Sequence, residues 1–284
     1  MTNLDALARN SGTFLIVAMD QRESLRTMLV DHGHDADDDR MRRFKATVAR
    51  ELAPHASGFL MDRHYGFEEV AQIIPPSCGL ILAVDSLVQE RGATVEDTSL
   101  DERADLRGAK EAGAVAIKLL VIWRDDDRRA ERVDMSRAFV ELAAQHGFLS
   151  VLEPVVRFPD VERDDAIVTA ARELGAVQPS LFKCQVPFAG RADPQRITER
   201  ATEIDGVLPC PWVVLSQGVD PDDFPGAVEA ACKGGASGML AGRAVWTSTL
   251  SADDPTDLLR RESVPRLRQL AAIVDAHGRP WHDR

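Results

Sequence analysis

Lysine is scarce in this chain, and two of its lysines sit where a charge is costly. Of the 34 basic residues only five are lysines, Lys45, Lys110, Lys118, Lys183 and Lys233. Lys118 interrupts the apolar run Ala116-Ile117-Lys118-Leu119-Leu120, and Lys183 interrupts Leu181-Phe182-Lys183-Cys184-Gln185. A buried charge is strongly unfavourable unless it is paired or neutralised. Two ammonium groups sharing one partly dry cavity depress an amine pKa, and a neutral lysine amine is a nucleophile toward a carbonyl carbon. Carboxylates able to move protons for such a step follow other apolar runs: Asp20 after Phe14–Met19, and Glu153 after Leu149–Leu152. The same two carboxylates would also suit a structural pair of bridged lysines. Asp62 and Asp85 occupy comparable positions, where an Asp equally serves as a helix cap or turn former.

A second group of residues points to an anion. Ser216-Gln217-Gly218 precedes a helix opening at Asp220-Pro221, and Gly242-Arg243 precedes Ala244-Val245-Trp246. Glycine lets a backbone approach a ligand closely, and an arginine can clasp an oxyanion with two N–H groups. Together with a nucleophilic lysine, this pattern predicts Schiff-base chemistry on a phosphorylated carbonyl compound.

The elements that must position these groups alternate along the whole chain. Eight short apolar runs read as strands: Phe14–Met19, Gly58–Met61, Leu80–Val84, Val115–Leu120, Leu149–Leu152, Leu181–Lys183, Trp212–Leu215 and Gly238–Leu240. Between them lie helical periodicities. Met41, Phe44, Val48 and Leu52 recur at steps of three and four. Arg132–His146 stops before Gly147, Asp164–Leu174 before Gly175, and Phe224–Cys232 before Gly234-Gly235; Arg266–Ala276 closes the set. Eight strands alternating with helices predict a single-domain α/β fold, a (β/α)8 TIM barrel spanning residues 1–284, with residues 278–284 as a short frayed tail. An open doubly wound sheet is the alternative, but the first strand runs into Asp20-Gln21-Arg22 with no G-x-G-x-x-G turn. In a barrel the active site lies at the C-terminal strand ends, where both lysines and both carboxylates fall.

Charge and composition exclude several classes. With 34 Lys+Arg against 46 Asp+Glu, the net charge is −12, which repels nucleic acid and anionic membrane surfaces. No apolar run reaches the ~18–20 residues of a membrane helix. Met1-Thr2-Asn3-Leu4-Asp5 lacks the basic and apolar regions of a secretory signal. Cys78, Cys184, Cys210 and Cys232 form no C-x-x-C pair, so reduced buried thiols and a cytoplasmic location are expected. His32 and His34 fall in a run, His32–Asp39, that reads as a solvated acidic loop. No metal motif is present, and only His64 is placed at a strand end for a metal-dependent rival chemistry. No metal and no cofactor are expected.

Several segments resemble one known group. Val17-Ala18-Met19-Asp20-Gln21-Arg22-Glu23, Ile117–Arg124, Ser150–Arg157, Phe182–Pro187, Leu215–Asp220 and Ala236–Trp246 are similar, in order and spacing, to the class I aldolases that include sulfofructosephosphate aldolase and tagatose 1,6-bisphosphate aldolase. The Trp123-Arg124 pair, the Glu153-Pro154-Val155-Val156-Arg157 run and the Ala241–Trp246 run resemble the sulfofructosephosphate branch more closely. Asp62-Arg63-His64-Tyr65-Gly66 resembles the tagatose branch. The resemblance implies a cofactor-free cleavage of 6-deoxy-6-sulfofructose 1-phosphate to dihydroxyacetone phosphate and 3-sulfolactaldehyde. The alternative substrate is tagatose 1,6-bisphosphate, giving glyceraldehyde 3-phosphate, and a further alternative is a non-catalytic sugar-phosphate sensor. It places the Schiff base on Lys183, the second lysine on Lys118 and acid/base work on Glu153 and Asp20. Gln21, Arg22 and Arg243 match anion-contacting positions, with Arg243 at the distal anion; Ser216 and Gly242 match the 1-phosphate site, which Gln217 and Gly218 adjoin. A homo-oligomer, dimer or tetramer, is implied as well. Two departures stand out: Gln185 where the family usually has an acid, which should leave the Lys183 neighbourhood less negative, and Gln217 where it often has Ser.

Overall fold

The computed structural model describes residues 3–90, 94–158 and 160–284; Met1 and Thr2, which open the segment without a secretory-signal pattern, lie outside them. Eight parallel strands close into a barrel, as expected. They are β1 (Phe14–Met19), β2 (Gly58–Asp62), β3 (Gly79–Ala83), β6 (Ala114–Trp123), β7 (Leu149–Val156), β8 (Leu181–Gln185), β9 (Trp212–Leu215) and β10 (Gly238–Ala241). Around the barrel they run β1-β10-β9-β8-β7-β6-β3-β2. Two further strands, β4 (Asp85–Val88) and β5 (Asp97–Leu100), pair antiparallel as a hairpin between β3 and β6. Periodicity did not reveal this hairpin, because its strands are short and polar.

The helices are α1 (Glu23–Asp31), α2 (Asp38–Leu52), α3 (Phe67–Ile73), α4 (Leu106–Glu111), α5 (Arg129–Gln145), α6 (Asp160–Gly175), α7 (Pro194–Val207), α8 (Phe224–Lys233), α9 (Arg243–Trp246), α10 (Thr256–Leu258) and α11 (Val264–His277). A π-helical turn at Leu259–Ser263 joins the last two. The stripe Met41, Phe44, Val48 and Leu52 is buried, and Asp37 caps α2 by accepting from Arg40 N at 2.7 Å. The run His32–Asp39 is therefore only partly loop. His34 within it is also held, its Nε2 lying 2.8 Å from the Leu250 carbonyl.

Strands buried on both faces read as unbroken apolar runs, and the period of two sorts their side chains. Leu15, Val17, Met19, Phe59 and Met61 pack outward against helices. Phe14, Ile16, Ala18, Ile81, Ala83, Ala116, Val151, Leu181, Val213 and Leu240 fill the interior, with Leu4 and Leu7 in the same cluster. Following each interior row two residues further leads to polar groups: Ala18 to Asp20, Ala83 to Asp85, Ala116 to Lys118, Val151 to Glu153, Leu181 to Lys183. The chemistry thus replaces the next layer of the core.

Five strands run past their predicted ends, β2 and β10 by one residue, β8 by two, and β6 and β7 by more. β6 continues through Trp123 and β7 through Val156, in register from Ala116↔Leu149 to Trp123↔Val156. Glu153 therefore lies within β7 rather than at its end. The tail is not frayed: Arg279 N donates to Ala236 O and Trp281 N to Gly12 O. Arg279 and Arg284 both pair with Asp205, which also accepts from Trp212 Nε1. All four cysteines are buried and free, and burial pushes each thiol up to about 12. Among the described residues no helix is long and apolar enough to cross a membrane.

Candidate active site

A cavity of about 300 Å³ opens at the C-terminal strand ends. It is lined by Asp20, Gln21, Arg22, Lys118, Glu153, Lys183, Ser216, Gln217, Gly242 and Arg243, ten of the eleven residues singled out from sequence. Gly218 is the exception. It turns the chain at φ +80°, a left-handed backbone conformation that favours glycine.

The two lysines occupy unequal surroundings. Lys118 Nζ contacts three carboxylates: Glu153 Oε2 at 2.7 Å, Asp20 Oδ2 at 2.9 Å and Asp85 Oδ2 at 3.0 Å. Lys183 Nζ contacts one, Glu153 Oε1 at 2.8 Å. Glu153 thus gives one oxygen to each lysine. Burial alone would lower the Lys118 pKa, but Asp20, Asp85 and Glu153 together hold it well above the ordinary lysine value. The predicted mutual depression of two amines does not operate on Lys118, which is a fixed cation. Burial would raise Asp20, but the charges of Lys118 and Lys183 and the Lys118 hydrogen bond hold its carboxyl well below the usual range.

Asp85 is the catalytic-chamber residue that sequence reasoning set aside. It does not cap a helix. Its Oδ2 accepts from Lys118 and from Leu120 N, and its Oδ1 accepts from Arg22 Nη2 at 2.8 Å. Arg22 Nη1 also donates to the Asp85 carbonyl. Arg22 lines the cavity but is turned toward Asp85. The signal for Asp85 was present in the alternation Ile81, Ala83, Asp85, which carries on an interior row. Asp62, by contrast, stays outside the chamber, where its Oδ1 accepts from His64 N and Tyr65 N and its Oδ2 pairs with the fully buried Lys45. Lys45 also donates to Met19 O, directly before Asp20.

The last two barrel strands supply the other wall. Gly242 is required by contact: a Cβ there would lie 2.4 Å from Ala18 O and 3.1 Å from Gln21 Nε2. Trp246 Nε1 donates to the same Ala18 carbonyl, locking the end of β10 to that of β1. Ala244 N reaches Ser216 Oγ at 3.4 Å. Arg243 is largely buried beside them; burial lowers its pKa, opposed by Glu153 and Asp20. A hydroxyl, a guanidinium and a backbone left open by glycine therefore lie together on one side of the chamber, a set suited to a phosphate.

A model of the DeoC/LacD aldolase family matches residues 14–248, which span the barrel and every residue of the chamber. The chain belongs to the DeoC/LacD family of aldolases. As an aldolase it makes and breaks carbon–carbon bonds. It is 25% identical to the tagatose 1,6-diphosphate aldolase of Listeria monocytogenes, over 98% of this chain and 92% of that one. It is 24% identical to the Staphylococcus aureus enzyme of the same name, over 100% and 98%. Among solved structures, an archaeal fructose 1,6-bisphosphate aldolase with its catalytic Lys covalently bound to the carbinolamine intermediate superposes with a TM-score of 0.64 at 18% identity, covering 95% of this chain and 96% of that one. The Plasmodium falciparum fructose-bisphosphate aldolase gives 0.73 at 13% identity, covering 97% and 93%. These structures establish the shared barrel.

Proposed function

We propose that this aldolase cleaves a ketose 1,6-bisphosphate of the tagatose type to dihydroxyacetone phosphate and glyceraldehyde 3-phosphate, through a Schiff base on Lys183. The observation that carries the lysine assignment is the inequality of partners. Lys118 is held by three carboxylates and cannot readily lose its proton, whereas Lys183 has one, and that one is positioned to accept a proton. The substrate class rests on the tagatose enzymes to which the chain is similar over nearly its whole length.

In the forward reaction Glu153 takes a proton from Lys183, and the free amine attacks the C2 ketone to form a carbinolamine. Glu153 returns the proton to the departing hydroxyl, water leaves, and an iminium remains. Glu153 then removes the C4 hydroxyl proton. The C3–C4 bond breaks, its electron pair neutralises the iminium as an enamine, and the aldehyde departs. Protonation at C3 and addition of water release dihydroxyacetone phosphate and restore Lys183. Lys118 stabilises the negative charge that develops on the C4 oxygen. Asp20, held ionised, is a weak base and serves to orient Lys118. Ser216 and Gly242 hold the 1-phosphate, and we assign Arg243 to the same group rather than to the distal anion that the resemblance implies, because it follows Gly242 directly and Ala244, next after it, reaches Ser216 Oγ.

A second reading keeps the same chemistry but replaces the 6-phosphate by a sulfonate, with 3-sulfolactaldehyde as product. The Trp123-Arg124, Glu153–Arg157 and Ala241–Trp246 runs favour it. Turnover of tagatose 1,6-bisphosphate and of 6-deoxy-6-sulfofructose 1-phosphate, measured side by side, separates the two. Borohydride reduction with dihydroxyacetone phosphate should trap an adduct on the peptide containing Lys183; an adduct on Lys118 instead would overturn the mechanism.

A further inference from the structure

The chamber holds a cation that the reaction scheme leaves unused. Arg157 follows β7 and lines the cavity, and its Nε is buried without a hydrogen-bond partner. Among the described residues its guanidinium makes one polar contact, a long one, Nη2 to Val95 O at 3.5 Å. Arg124, which follows β6 on the neighbouring strand, lines an outer pocket together with Arg157. Among the described residues Arg157 has no carboxylate partner, although most arginines of this acidic protein do; Arg124 acts through its charge on Asp126, and Glu96 and Asp97 line the same outer pocket. Burial and the charges of Arg124 and Arg243 lower the Arg157 pKa, with no anion opposing them. A partly desolvated guanidinium beside other cations is stabilised by an oxyanion from outside the chain.

Position identifies which oxyanion. In the barrel order β10 and β6 are four strands apart, on opposite sides of the mouth, with β8 and Lys183 between them. The 1-phosphate is one carbon from the Schiff-base centre and belongs beside β9 and β10, at Ser216, Gly242 and Arg243. The rest of the ketose then extends past Glu153 toward the ends of β7 and β6. Arg22, the other cation at the mouth, is already occupied by Asp85.

We infer that Arg157, backed by Arg124, binds the terminal oxyanion at the far end of the substrate, the phosphate or sulfonate carried by the departing aldehyde. This inference rests on the proposed ketose reaction and assigns a subsite within it. The backbone around Arg157 is fixed for that purpose. Pro154 has no N–H, and the β7–β8 ladder pairs only Val151↔Leu181 and Leu152↔Phe182. Above it the Gln185 side chain takes over, its Oε1 accepting from Val156 N at 2.8 Å, while Arg157 N donates to Trp123 O at 3.0 Å. Gln185 thus acts as a positioning residue for the arginine.

The test compares three ketoses: tagatose 1,6-bisphosphate, 6-deoxy-6-sulfofructose 1-phosphate and tagatose 1-phosphate, which lacks a distal anion. Arg157→Gln should lower kcat/KM on the order of 10²-fold for the favoured doubly anionic ketose. On tagatose 1-phosphate the loss should stay within about threefold. Arg157→Lys should recover part of the difference, and Arg124→Gln should show a smaller selective loss. Equal losses on all three ketoses, or none on any, would overturn the assignment. If the native enzyme turns over none of them, the proposed substrate class fails separately. Titrating the inert Lys183→Met protein with the same ketoses, with and without Arg157→Gln, then still reads the arginine: only a selective loss of affinity for a doubly anionic ketose supports it, and failure of every such ketose to bind overturns it.

Discussion

Lys118 and Lys183 stand two barrel strands apart, on β6 and β8, share the carboxylate of Glu153, and are both nearly sealed from solvent. One is surrounded by three carboxylates and the other touches one. The difference shows that burial alone does not make a reactive lysine. An amine whose charge is over-compensated is locked as a cation, whereas one with a single proton-accepting partner can be released by moving one proton. Lys45 extends the contrast: its partner Asp62 lies outside the chamber, so it can only hold structure.

Several experiments would break or sharpen this contrast. Lys183→Met should abolish the borohydride-trapped adduct and lower kcat on the order of 10⁴-fold or more; near-normal turnover would reverse the roles of the two lysines. Lys118→Met leaves three buried carboxylates without their common cation and should cost about 3–5 kcal/mol of stability, read by denaturant unfolding, in addition to lost activity. Asp85→Asn removes one of the three charges and weakens the hold on Arg22, whose bond to the main-chain carbonyl remains, so a smaller loss of about 1–3 kcal/mol is expected. Lys45→Met should destabilise the fold while leaving the Lys183 adduct intact, and its failure to form an adduct in folded protein would contradict the structural reading. The mildest effect concerns pH. The depressed Asp20 pKa contributes stability that is present above the unfolded value near 3.8 and is lost as pH falls toward the folded value. In Lys118→Met, burial remains and the foremost opposing cation is gone, so the Asp20 pKa rises and the acid-induced loss of stability, read by denaturant unfolding across pH, should begin at higher pH than in the native protein.

Much of the barrel was legible because its strands are buried on both faces and read as unbroken apolar runs. Lys118 and Lys183 stood out against those runs by type alone. Asp85 did not, since an aspartate after a strand has a commoner explanation, and only the burial of Ala83 and the turn of Arg22 toward it show otherwise. Glu153 was identified but misplaced within its element: Pro154 suggests a strand end, yet the strand continues because β6 pairs with it through Val156, while the Gln185 side chain replaces the missing ladder on the β8 side. Gln185 itself was read as a lost charge near Lys183, whereas its amide is committed to the neighbouring strand. The tail from Gly278 looked polar and loose by composition. Asp205, seventy residues or more away in sequence, is what holds it, and no local pattern reports such a partner.

β6 and β7 rise above the rest of the rim, and this has a consequence for recognition. Arg124 and Arg157 each follow directly on a paired strand instead of standing within a long loop. The backbone freedom of both is therefore removed when the barrel closes, before any ligand arrives, and a ligand need immobilise only the guanidinium groups. Selectivity between substrates with different far ends should then be expressed mainly in how long they stay bound, since a rigid wall changes its shape little on encounter.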